Sequence, residues 1–339
     1  MLTIKEIKNI LLNSDRLLTE KLAGEAKSIT EQFFGRTISL YTPIYLSNYC
    51  SSHCTYCGFN SHNKIKRIKL SLEEMRREME KVSATGIEHI LLLTGESYEA
   101  TPLEYLKAAV NAAKEYFSVI SLEVHPMETA EYRELFSSGV DGITIYQETY
   151  DSIRYKEVHL SGKKSDYNFR LNAPERAAAA GMRYITLGIL LGLSDAAEDL
   201  LELFRHLEYM EKTYPGVEYS LSFPRLRNIK GKEFARSDID DITLFKIICL
   251  ARINFPRVGI NLSTRENQNM RDNLLGIGVT RMSAGSNTSV GGYDINPANS
   301  QEPQFDIKDS RSAEAIMALL KAKGFDPILT DWRSINRQQ

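Results

Sequence analysis

Cysteine is scarce in this chain, with four in 339 residues and three of them inside eight positions. So few exclude a disulfide framework, and their clustering points instead to metal chemistry in a reducing compartment. Charge of either sign is in no excess: 42 Lys plus Arg against 44 Asp plus Glu leave a formal net charge of -2. No global field draws the chain to nucleic acid or to anionic lipid, so the expected partner is a small molecule. Long apolar runs are missing too. None reaches the roughly 18 residues that a membrane span needs, and the N-terminal MLTIKEIKNILLNSDRLL is amphipathic and carries Lys and Asp, unlike a signal peptide. The expectation is a cytoplasmic protein without a membrane role. No internal repeat and no low-complexity tract interrupts the pattern.

What is present is an alternation. Residues 4–34 place apolar side chains at helical spacing (Ile4, Ile7, Ile10, Leu11, then Leu22, Ala26, Ile29, Phe33) and end at Gly35, which predicts two helices ahead of the main domain. Short β-branched or aromatic runs then alternate with helical patterns: ISLYTPIYL before 71–85, EHILLLT before 102–116, SVISLEV before 128–138 and DGITIYQE before 172–180. RYITLGILLG precedes 195–212, VEYSLSF precedes 242–254, VGINLST precedes 267–276, and VTRMSAGS precedes 311–323. Eight strand–helix units in sequence predict an α/β fold, a (β/α)8 TIM-type barrel. The chain divides into an N-terminal helical extension (1–36), the barrel (37–325) and a C-terminal tail (326–339). Function should sit on the loops after the strands, and the long polar stretch 286–310 is a candidate lid.

Directly after the first predicted strand comes Cys50-Ser-Ser-His-Cys54-Thr-Tyr-Cys57-Gly-Phe. Three thiolates at this C-x3-C-x2-C spacing can cap three irons of a cubane cluster and leave the fourth open to a small chelating molecule. A structural zinc site normally closes with a fourth Cys or His, and neither His53 nor His62 gives a common zinc spacing. Cys249, in the apolar stretch FKIICLARI, reads as a buried core residue.

The cysteine loop, with the aromatic Tyr56 before its third cysteine, resembles the signature of the radical S-adenosylmethionine (SAM) superfamily. Further segments narrow the resemblance: Thr94-Gly95-Glu96, Tyr146-Gln147-Glu148-Thr149-Tyr150, Ser161-Gly162-Lys163-Lys164, Phe169-Arg170, the run 220–227, Leu262-Ser-Thr-Arg-Glu266 and Gly291-Gly292-Tyr293. Together they are similar to the aromatic amino-acid lyase subgroup, and most of all to the tyrosine lyases of thiamine biosynthesis. A related tyrosine lyase matures [FeFe]-hydrogenase, but it carries an extra C-terminal domain with a second cysteine cluster, and no cysteine follows Cys249 here. A tryptophan lyase shares fewer of these segments. The resemblance implies a [4Fe-4S] cluster, S-adenosylmethionine as cosubstrate, cleavage of the Cα–Cβ bond of L-tyrosine to 2-iminoacetate and p-cresol, a flavodoxin or ferredoxin reductant, and delivery of the imine to thiazole synthase. A non-catalytic iron–sulfur protein would have no need of the Thr-Gly-Glu turn or of paired substrate arginines.

The same resemblance implies roles for individual residues. Cys50, Cys54 and Cys57 hold the cluster, with Tyr56 beside it. Glu96, with Thr94 and Gly95, receives the amino group of S-adenosylmethionine, a carboxylate being the natural partner of an ammonium. Glu148 reaches the ribose hydroxyls or, on the plainer reading, pairs with Arg170. Arg170 takes the S-adenosylmethionine carboxylate in its planar fork. Gly188 and Gly192 either admit the adenine or only relieve packing. Arg225, behind a proline that fixes its approach, is the first candidate for the substrate carboxylate; Arg265 is its rival or simply pairs with Glu266, and Tyr45 either touches the substrate amino group or is a buried strand tyrosine with its hydroxyl satisfied.

Overall fold

The computed structural model describes residues 2–226, 238–294 and 303–330. Eight parallel strands form its centre: β1 (Thr37–Ser47), β2 (His89–Thr94), β3 (Val119–Glu123), β4 (Gly142–Glu148), β5 (Tyr184–Ile189), β6 (Glu218–Ser222), β7 (Gly259–Leu262) and β8 (Arg281–Ser283). Each pairs with the next, and β8 returns to β1 with Ser39 opposite Arg281, Leu40 opposite Met282 and Tyr41 opposite Ser283. The sheet is therefore closed, as the eight sequence units predict. Strands covered on both faces need apolar residues on both, which is why runs such as HILLLT and YITLGI do not alternate.

The covering helices show the complementary pattern. Leu72–Ser83 opens with a reciprocal Ser71/Glu74 capping box and buries Met75, Met79 and Val82. Ala196–Thr213 is capped by Asp195 and turns Leu200, Leu203, Phe204, Leu207 and Met210 inward at helical spacing. Truncating one such buried leucine to alanine costs about 2–5 kcal/mol. Cys249 is fully buried in Asp241–Asn254, among the core residues expected of it.

The two expected leading helices are Ile4–Leu12, capped by Thr3, and Arg16–Phe34, capped by Asp15 and stopped by Gly35 at φ 59°. They lie against Ala196–Thr213 and Asp241–Asn254 on the outside of the barrel. Ile7 is fully buried there, and Lys8 meets Glu198 at 2.8 Å.

Three features were not expected from the sequence. Asp326–Ile328 pairs in parallel with the start of β1, where the sequence reading placed the first residues of a tail; 331–339 lie outside the described residues. The short helices Ser152–Val158 and Tyr167–Leu171 precede the helix expected at 172–180. His53–Cys54 pairs antiparallel with His159–Ser161, joining the cysteine loop to the connection after β4. No helix among the described residues is long and apolar enough to cross a membrane.

Candidate active site

The C-terminal ends of the strands surround a cavity open on one side to solvent. Its lower wall comes from inward-facing strand residues, among them Tyr41 and Tyr45 of β1, Leu91 and Leu93 of β2, Glu123 of β3, and Thr144, Tyr146 and Glu148 of β4. Cys50, Cys54 and Cys57 line it from above.

Hydrogen bonds to its backbone and burial of Ser52, Cys54, Phe59 and Asn60 hold the cysteine loop in place. Arg67 Nη1 donates to Asn48 O at 2.6 Å and Phe59 O at 2.7 Å, while Nη2 donates to Asn60 O at 2.6 Å, so one guanidinium ties the two ends of the loop together. Thr55 N donates to Val158 O at 2.9 Å, and Ser51 N donates to Glu96 O at 2.9 Å. Two glycines permit this closeness. A Cβ on Gly95 would overlap Tyr49 O, and one on Gly162, whose φ is +86°, would stand 2.5 Å from Ser52 Cα.

Burial pushes the Cys50 thiol up to about 11, with Glu96 and Cys57 adding to the effect, and burial likewise raises Cys54 and Cys57. Among the described residues no group of three Cys, His, Asp or Glu converges on a single metal ion. The three sulfurs do share one cavity, as a cubane requires, since each of its cysteine-bound irons sits on a separate corner.

Beside the sulfurs lie two acids and two bases. Arg170 Nη1 meets Glu96 Oε1 at 2.7 Å and Arg170 Nη2 meets Glu148 Oε1 at 3.6 Å, while Lys164 Nζ meets Glu148 Oε1 at 2.7 Å and Glu96 Oε1 at 3.4 Å. Burial alone would raise the Glu96 carboxyl, but the charges of Arg170 and Lys164 prevail and hold it at about 2. Glu148 is held below its ordinary value by the same two cations against the effect of burial. Its backbone sits at φ 72°, where β4 bulges, and it is the one non-glycine in that region among the described residues. Strain of this kind costs about 1–3 kcal/mol and gathers at functional sites. Two atoms in the cluster remain without partners: Glu96 Oε2 and Thr94 Oγ1 are buried and accept or donate nothing.

The remaining candidates separate. Tyr56 lines the cavity, donates its hydroxyl to His159 at 2.8 Å, and packs with Leu190, Leu193, Leu226 and Val158 into a small apolar wall. Gly188 and Gly192 do not line the cavity; a Cβ on Gly188 would overlap the Tyr146 ring, so this glycine makes room for its neighbour on β4. Arg225 is turned away from the cavity. Its Nε lies 3.1 Å from both oxygens of Glu266, its Nη2 is also on Glu266, and its Nη1 meets Asp241 at 2.8 Å and Ile239 O at 3.0 Å. Arg265 does line the cavity, with its guanidinium 3.7 Å from the Phe305 ring centre. Tyr45 faces inward and donates to Gln304 Oε1 at 2.8 Å.

Four contributors went unassigned in the sequence reading: Lys164, Glu123, Arg67 and Gln304. Lys164 lay within a motif already singled out, and Glu123 was legible as one acid at the end of the apolar run VISLEV. Within the expected lid, Gln304 and Phe305 border the cavity mouth and Thr288 donates to Phe305 O at 2.9 Å; positions 295–302 lie outside the described residues.

A closed parallel barrel with a three-cysteine loop and a mixed-charge cluster at its mouth defines a radical SAM enzyme, and residues 44–207 match the Radical SAM superfamily model. Residues 222–326 match the model of the Biotin and Thiamin Synthesis associated domain. The chain is 40% identical to 2-iminoacetate synthase of Escherichia coli (strain K12) over 93% of its own length and 83% of that protein. It superposes on HydG, a maturase of the [FeFe]-hydrogenase, with a TM-score of 0.90 at 29% identity, covering 97% of this chain and 73% of that one. With HydG from Carboxydothermus hydrogenoformans the TM-score is 0.88 at 35% identity, covering 96% and 76%. The chain belongs to the radical SAM superfamily and, within it, to the family that includes the 2-iminoacetate synthases.

Proposed function

We propose that this protein is a radical SAM carbon–carbon lyase that cleaves the Cα–Cβ bond of L-tyrosine, yielding 2-iminoacetate and p-cresol for the thiazole of thiamine. The observation that carries the reading is the meeting, in one cavity, of three thiols, a two-acid, two-base cluster with unpartnered atoms, and Arg265. The family relationship supplies the substrate class.

Cys50, Cys54 and Cys57 would hold a [4Fe-4S] cluster, which together with S-adenosylmethionine supplies one-electron chemistry that ends in withdrawal of a hydrogen atom from the substrate. The chain's own residues bind and orient. An amino acid's ammonium finds acceptors in Glu96 Oε2 and Thr94 Oγ1, and its carboxylate finds donors in Arg170 and Lys164. Glu148 suits ribose hydroxyls, and the wall of Tyr56, Leu190 and Leu226 suits a flat heteroaromatic ring. For the substrate, Arg265 carries the carboxylate role in preference to Arg225, because Arg265 lines the cavity and Arg225 does not. Tyr45 faces the substrate amino group. The barrel walls and the segment at Gln304 and Phe305 exclude water that would quench a radical.

The test is direct. Anaerobically reconstituted protein with dithionite, S-adenosylmethionine and L-tyrosine should form 5′-deoxyadenosine and p-cresol together. Formation of 3-methylindolic acid from tryptophan, without p-cresol from tyrosine, would overturn the choice of substrate. A flavodoxin or ferredoxin should replace dithionite, and association with thiazole synthase should be measurable by affinity.

A further inference from the structure

Glu123 differs from the other two acids of the cavity. It ends β3 and faces inward level with Tyr45 and Leu93, because Tyr45 registers with Leu93 and Leu93 with Glu123. Glu96 and Glu148 are each held by Lys164 and Arg170, whereas no hydrogen bond or ion pair among the described residues reaches the Glu123 carboxylate. The groups that face it are Glu148 of β4, Lys164 and Arg170 beyond β4, Arg265 beyond β7, and the hydroxyls of Tyr41, Tyr45 and Tyr146. Burial and then Glu148 raise its carboxyl to about 7, despite the three cations. A carboxylate set in a low-dielectric cavity without a partner is unfavourable, and a ligand that brings a cation relieves it. An α-amino acid whose carboxylate lies on Arg265 brings one.

Resting on the lyase reading above, we propose that Glu123 is a catalytic residue that receives the α-ammonium of the substrate and removes one of its protons. One N–H bond breaks heterolytically. Its electron pair stays on nitrogen as the lone pair, and the proton forms an O–H bond on Glu123. The product is a neutral amine, and a remaining N–H hydrogen is the atom withdrawn in the radical step. A group titrating near neutrality suits this exchange, since above that pH it is mostly ionised and yet it is more basic than an ordinary carboxylate.

The test separates binding from turnover. Wild type and Glu123→Gln, both with reconstituted cluster and S-adenosylmethionine but no reductant, are titrated anaerobically with L-tyrosine, L-phenylalanine and 3-(4-hydroxyphenyl)propanoate, which lacks the amine. Wild type should bind tyrosine about tenfold or more tightly than the deamino analogue, and Glu123→Gln should bind the two within about threefold. Phenylalanine should lose the same factor as tyrosine. The wild-type preference should fall as pH drops from 8 to 6, and the variant should show no such trend. An unchanged amine preference in Glu123→Gln overturns the proposal, and a loss seen with tyrosine but not phenylalanine moves Glu123 to the phenol and overturns it equally. If Glu123→Gln fails to fold, Glu123→Ala decides by the same titration: loss of the amine preference supports the proposal and retention overturns it. Absence of p-cresol from wild type would sink the lyase reading while leaving the amine preference to judge Glu123.

Discussion

Two rims of the barrel mouth carry buried arginines, and they use them differently. Beyond β2 and β4, Arg170 is engaged through Nε by Tyr146 O and through its terminal nitrogens by Glu96 and Glu148, which it shares with Lys164, yet Glu96 Oε2 and Thr94 Oγ1 are left over. Beyond β6 and β7, Arg225 is engaged through Nε and both terminal nitrogens by Glu266, Asp241 and Ile239 O, and Arg265 beside it makes one long carbonyl contact at 3.5 Å. A buried ion pair becomes a binding site where it is incompletely satisfied, and becomes framework where it is complete. Pairing by itself does not distinguish the two.

The largest expected effect removes what both rims serve. Cys54→Ala should abolish 5′-deoxyadenosine formation and cluster iron together, measured by chromatography and iron assay, and residual product with full iron content would relocate the cluster. Next comes Arg170→Met, which leaves Glu96 and Glu148 to share Lys164. Loss of one partner from a buried pair costs about 3–5 kcal/mol, so both the denaturation midpoint and S-adenosylmethionine affinity should fall.

The comparison is sharpest between the neighbouring arginines. Arg265→Lys should raise KM for the amino acid roughly 10- to 100-fold, about 1.4–2.8 kcal/mol, with an unchanged thermal midpoint. Arg225→Lys should lower the midpoint and shift KM by less than about threefold. The reverse outcome would return the carboxylate site to Arg225. The smallest effect concerns Glu123, whose carboxyl is raised from the ordinary 4.5 to about 7. Ionised Glu123 penalises the fold fully above that value and not at all below the ordinary one. Glu123→Gln should therefore stabilise the free protein by about 1–2 kcal/mol at pH 8, with the gain shrinking towards pH 5 in denaturant titrations.

The barrel was legible because each strand lies between helices and core, so its apolar run is continuous and its helix partner is amphipathic. The cysteine loop was legible from spacing. Arg225 illustrates what spacing omits: Pro224 fixes where the backbone goes, but the side chain follows Glu266, which stands 41 residues on. Lys164 meets Glu148 where β4 bulges, and a positive φ at a glutamate leaves no mark in composition. Asp326–Ile328 and His159–Ser161 are three residues each, too short for any period to show.

The Arg67 clamp has a bearing on which substitutions matter. Because it grips carbonyl oxygens at both margins of the loop, the path of residues 48–60 depends on a side chain that stands outside the cysteine motif. Replacing Arg67 would therefore disturb how the three thiols are spaced while every sulfur stays in the sequence.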